Sequence, residues 1–159
     1  MLAQQTLIAQ VDREPGPEQA FWTDGWDGYP AARARLLGFL AQQRPANPLV
    51  LGGDVHSYWV CDLKPDFDDP QSPIIATEVC GTSITSQGVP QARVDAIRAD
   101  NPHVRFASSE KRGYVRLDLA PERCEVHLRA LDSEPTRASP VATLASFVVE
   151  NGRPGAISA

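Results

Sequence analysis

Asp54 and His56 stand two residues apart directly after a pair of glycines, in Gly52-Gly53-Asp54-Val55-His56. Glycines let the backbone turn tightly, so a carboxylate and an imidazole at this spacing can emerge close together and offer one oxygen and one nitrogen ligand to a metal ion. An imidazole used in this way binds through a neutral ring nitrogen, with the other nitrogen oriented by an acceptor. The same residues also fit an ordinary structural role, Asp54 capping a turn and His56 satisfied within the core or at the surface. A second cluster, Asp24-Gly25-Trp26-Asp27, sets two carboxylates three residues apart ahead of a helical pattern. Hard cations take such oxygen ligands; alternatively Asp27 caps the helix and Asp24 is solvated. Arg33, within that helix, either contacts a phosphate or lies on the solvent face.

The elements that must position these residues can be read locally. Residues 48–53 are a short apolar run stopped by glycines, the pattern of a buried strand whose C-terminal end carries polar groups. The helix before it begins at Pro30 and ends before Pro45, with Ala32, Leu36, Leu37 and Leu40 recurring at spacings of three and four. Residues 12–28 form a Pro/Gly/Asp/Trp-rich loop whose aromatic residues need a partner surface. Residues 57–63 and 74–79 read as strands separated by a Pro/Asp-rich turn, and residues 89–101 as a helix. Glu78 and the hydroxyls of residues 82–86 follow as candidates for hydrogen bonds beside a site. Alternation over residues 114–119 and 124–131 gives a β-hairpin with one wet face, followed by a strand at 144–149 and a Gly/Pro-containing tail. His103, in a polar turn, and His127, on the hairpin, are not expected to be ligands, and Trp59 and Tyr114 are expected to pack.

The 159 residues match one domain able to bury a core without disulfides or structural metals. A net charge of −5, with no basic stripe, argues against a nucleic-acid surface, so phosphate handling here would need bound cations. No run of about eighteen apolar residues marks a membrane span, and residues 1–5 lack the basic start and apolar middle of a secretory signal. Cys61, Cys80 and Cys124 are an odd count without zinc or redox spacing and read as small buried hydrophobes. The first thirty residues have the look of the middle of a fold, as in a truncated gene or an excised fragment.

Several segments taken in order resemble the PhoD-like alkaline phosphatases and phosphodiesterases. They are Trp26-Asp27-Gly28-Tyr29-Pro30 with Arg33, Val50 through Ser57, Ala76 through Ser86, Arg112-Gly113-Tyr114-Val115, and Ala145 through Gly155. The resemblance implies an α/β fold, here the C-terminal half of a layered metallophosphoesterase β-sandwich of the calcineurin-like superfamily, with flanking helices and a terminal antiparallel β-hairpin. It further implies a calcium- and iron-containing centre, other divalent metals being possible, that hydrolyses phosphate monoesters or diesters, in proteins commonly exported to the periplasm or beyond the cell. Asp54 and His56 match the family's late Gly-Asp-x-His ligands, and Asp24 and Asp27 match acidic positions near the metals, the two pairs facing each other across a shared pocket. The family's earlier Gly-Asp and Asn/Asp-His-Glu ligand motifs have no counterpart, so residues 1–159 are expected to be a C-terminal portion that needs the missing N-terminal half for activity. The alternative is a non-catalytic α/β binding or assembly module retaining a vestigial half-site.

Overall fold

The apolar run that ends in paired glycines forms a strand, but it is the second in the chain. In the computed structural model, which describes residues 1–132 and 139–159, β1 (Leu2–Ala3) lies parallel to β2 (Leu49–Gly52), with Leu2 opposite Val50. With β3 (Tyr58–Leu63), β4 (Ala76–Cys80) and β5 (Val104–Ser108) they make a five-stranded sheet in the order β1-β2-β4-β3-β5. β2 and β4 run parallel, and β3 runs antiparallel to both its neighbours. Every residue of β3 and β4 is buried, which requires both faces of the sheet to be covered.

Two different layers cover them. On one face Trp59, Cys61, Leu63 and Cys80 pack with Leu37 of α1 (Pro30–Gln43), with Val94 and Ile97 of α2 (Gln91–Asp100), and with Ile8 and Val11 of the N-terminal segment. On the other face Tyr58, Val60 and Val79 meet Val126, Leu128 and Phe147 of a second sheet. That sheet is an antiparallel meander of β6 (Gly113–Leu119), β7 (Arg123–Leu131), β8 (Val141–Glu150) and β9 (Arg153–Ser158). The architecture is thus a mixed α/β stack of helices, sheet and sheet, with the expected hairpin (β6 and β7) opening the second sheet. Burial alternates along β7, leaving one face of the hairpin wet.

Three strands were not foreseen. The Gly/Pro-containing tail is not a loop but β9, an edge strand that tolerates Pro154 because an edge position leaves one side of the backbone unpaired. β1 is two residues long and β5 five, too short for periodicity to declare them. The three cysteines are buried and free. No helix among the described residues is long and apolar enough to cross a membrane.

Gly113 marks the tightest point between the two sheets. A β-carbon there would overlap the Arg129 carbonyl and the Tyr58 hydroxyl, the two partners of a 2.7 Å hydrogen bond that joins the sheets. Gly113→Ala is therefore expected to lower stability by about 1–3 kcal/mol, the usual penalty of overpacking, as read by urea unfolding.

Candidate metal centre

The turn that carries Asp54 and His56 is built against the N-terminal segment. The Gly53 amide donates to the Gln5 carbonyl at 2.9 Å, and a β-carbon on Gly52 would overlap the Thr6 carbonyl; this close approach is why a glycine stands at position 52. The Val55 amide then donates back to the Gly53 carbonyl at 2.7 Å, closing a three-residue turn about Asp54. Asp54 has φ +65° and His56 φ +55°, left-handed backbone that non-glycine residues adopt at a penalty on the order of 1–3 kcal/mol. Such strain persists only where the surroundings impose it. Here the Trp59 indole donates to Ser57 Oγ at 2.7 Å, and Ser57 Oγ donates to the Val55 carbonyl at 3.0 Å, pinning the far side of the turn.

His56 is held in an orientation that a ligand histidine can use. Its Nδ1 lies 3.2 Å from the Gln87 carbonyl; a carbonyl only accepts, so Nδ1 donates, and the tautomer this contact selects in the neutral ring leaves the lone pair on Nε2. Gly88 makes room for this contact, since a β-carbon there would come within 2.5 Å of the His56 carbonyl. Asp54 is exposed and His56 half-buried, both just past the end of β2. Their chemistry suits a divalent or trivalent cation.

The acidic pair upstream is arranged differently. Asp24 is exposed and lines a pocket of about 410 Å³ with Gln4, Thr6 and Trp26, whereas Asp54 lines a separate cavity of about 190 Å³. Asp27 turns inward: its carboxylate accepts from Arg33 Nη1 and from the Val11 amide at 3.4 Å. It does not cap α1, whose N-cap, Tyr29, makes no side-chain capping bond. Burial raises the Asp27 carboxyl above its ordinary value, outweighing the Arg33 guanidinium that draws it down. Arg33 is itself buried rather than on the solvent face, at 7% exposure. It also donates to Gln10 Oε1 at 2.8 Å and sits over the Phe67 ring.

Other polar groups have surroundings that spacing did not reveal. Glu78, fully buried in β4, accepts the amides of Ile8 at 2.7 Å and Ala9 at 2.9 Å, and burial pushes its carboxyl up to about 7. The available signal was a carboxylate inside an otherwise apolar strand. His103 lies in a turn, as expected, but is buried there, and Nε2 donates to the Gln10 carbonyl at 2.7 Å. On the outer face of the second sheet, Asp118, Glu125 and His127 bring ligand atoms within 4.8 Å of one another. His127 Nδ1 contacts Ser146 Oγ there at 3.0 Å, but Arg116 and Arg123 already pair with the two carboxylates. Its signal was the cross-strand register that sets Asp118 opposite Glu125. A larger cavity, about 730 Å³, is lined by Asp62, Lys64 and His103 at the opposite end of the sheet from Asp54.

Comparison with known proteins bears on this arrangement. The sequence profile of the PhoD-like phosphatase family matches residues 1–128. Alkaline phosphatase D of Bacillus subtilis (strain 168) is 35% identical over 158 residues, which cover 98% of this chain and 27% of that protein. A solved structure of PhoD superposes with a TM-score of 0.89 at 34% identity, covering 99% of this chain and 30% of the other. The chain thus spans under a third of the length of the relatives it matches, across its whole fold and not the turn alone, and it belongs to the PhoD-like phosphatase family.

Proposed function

We propose that this chain is the C-terminal portion of a PhoD-like domain that hydrolyses phosphate monoesters or diesters, and that it supplies the Asp54/His56 side of a calcium- and iron-containing centre. The remaining ligands come from another stretch of the whole protein, and the family resemblance supports a setting outside the cell or in the periplasm. One observation carries the reading: His56, two residues after Asp54 at the end of β2, is fixed through Nδ1 to the Gln87 carbonyl.

Metal ions bound at such a centre polarise the phosphoryl oxygens and lower the pKa of a bound water. The chain's own residues set the stage for that chemistry. Asp54 brings negative charge to the strand end, and the Gln87 carbonyl keeps His56 in the tautomer that coordinates. Asp24, exposed beside the Trp26 turn, is available as a further oxygen ligand. Asp27 and Arg33 fix each other and so hold that turn on α1.

Calorimetric titration with Ca²⁺ and Fe²⁺ tests the assignment. Asp54→Asn and His56→Ala are each expected to weaken binding at least as much as the ~10–100-fold that follows loss of a ligand's supporting partner. Turnover of p-nitrophenyl phosphate by this chain alone is expected to be undetectable. Affinity untouched by both substitutions sinks the ligand assignment, and turnover that they abolish sinks the view that this is half a site.

A further inference from the structure

The cavity of about 190 Å³ beside Asp54 is also lined by Arg13 and Arg93. Its volume is roughly a dozen times the ~15 Å³ that one water requires. Arg13 lies over the Trp22 ring, its guanidinium carbon 5.2 Å from the ring centroid. Its Nε is buried without a hydrogen-bond partner. Among the described residues neither guanidinium makes an ion pair or a side-chain hydrogen bond. Burial lowers the Arg13 guanidinium from its ordinary value; Asp27 opposes this and Arg93 adds to it. Two like charges thus face one space from two elements, the N-terminal loop and the first turn of α2, and an anion between them would relieve both.

We propose that Arg13 and Arg93 form an oxyanion subsite that takes the phosphoryl group of the substrate next to Asp54. Guanidinium forks match phosphate oxygens two at a time, and the Trp22 face holds one fork flat before the anion arrives. The subsite rests on the phosphate-ester reading above, but its binding step needs only these two side chains.

The test is titration of the chelator-treated chain with inorganic phosphate at low ionic strength, followed by ³¹P NMR and calorimetry. Arg13→Gln and Arg93→Gln are each expected to weaken phosphate binding at least about tenfold, the loss of one charge-assisted hydrogen bond. Arg93 is exposed, so its substitution leaves the fold intact even if Arg13→Gln does not. Asp54→Asn is expected to bind phosphate as well or better, because a nearby negative charge is removed. Failure of the wild-type chain to bind phosphate, or wild-type affinity in both arginine variants, overturns the subsite. Phosphate binding that depends on the arginines in a chain that binds no metal would leave the subsite standing while the metal assignment falls. Metal binding without phosphate binding would do the reverse.

Discussion

Arg33→Ala is expected to lower the unfolding free energy by about 3–5 kcal/mol, the size found when one partner of a buried ion pair is removed. The side chains of Arg33 and Asp27 are 8% and 9% exposed, so water cannot replace the lost guanidinium. Asp27 would keep only the long Val11 amide contact, near a second buried carboxylate, Glu78, whose own value Asp27 already pushes up. A loss of this size is a large part of the ~5–15 kcal/mol that holds a typical domain folded. The pair itself need not be stabilising on balance: burial outweighs Arg33 in setting the Asp27 carboxyl. Replacing both partners, Asp27→Leu with Arg33→Met, is therefore expected to recover most of the loss. Urea unfolding followed by tryptophan fluorescence decides it. A change below about 1 kcal/mol for Arg33→Ala would mean that the pair is solvated in a way its burial contradicts.

The pair also shows where the sequence stops being legible. Pro30 opens α1 at the expected residue, and the apolar run before Gly52 is a strand that delivers Asp54 and His56 to its end. These depend on local signals: fixed φ at proline, tight turning at glycine, periodic apolar positions. Asp27 and Arg33 are six apart and meet across the junction of a short turn and a helix, a spacing that no regular element places face to face. By local rules Asp27 reads as a metal ligand or a helix cap, and Arg33 as a phosphate contact or a solvent-face residue. The acceptor behind His56 is the backbone of Gln87, thirty-one residues on, and a carbonyl carries no side-chain signature at all. Arg13 and Arg93 are brought together only by the docking of α2 beside the N-terminal loop. The edge strand β9 was hidden because Pro154 and Gly155 signal a turn unless a neighbouring strand is known to be there. What spacing could give was the pair of candidate ligands, and what it could not give was the groups that orient them.

Glu78 and His103 are expected to oppose each other in how stability depends on pH, so that each hides the other in the wild-type chain. Burial raises the Glu78 carboxyl from 4.5 to about 7. The folded state then holds a proton that the unfolded chain has released, and the stability present below pH 4.5 is lost as pH rises through about 7. Burial lowers the His103 imidazole from 6.5 to about 4. Its contribution is present above pH 6.5 and is lost as pH falls through about 4. At ~1.4 kcal/mol per pKa unit each amounts to roughly 3 kcal/mol, with opposite slopes over the range the two share. Asp27 and Asp62, both raised chiefly by burial, add to the slope of Glu78 at the acid end. Glu78→Gln keeps an acceptor for one of the two amides and removes the titration, so its stability is expected to climb with pH relative to wild type between about 4.5 and 7. His103→Gln keeps a donor for the Gln10 carbonyl, and its stability is expected to fall with pH relative to wild type between about 4 and 6.5. The quantity to measure is the difference in unfolding free energy between wild type and each variant at half-unit steps of pH, which cancels every group the two chains share. Parallel curves for wild type and Glu78→Gln would show that the buried carboxylate ionises as it does in the unfolded chain. The two amide hydrogen bonds from Ile8 and Ala9 would then offset its burial in full.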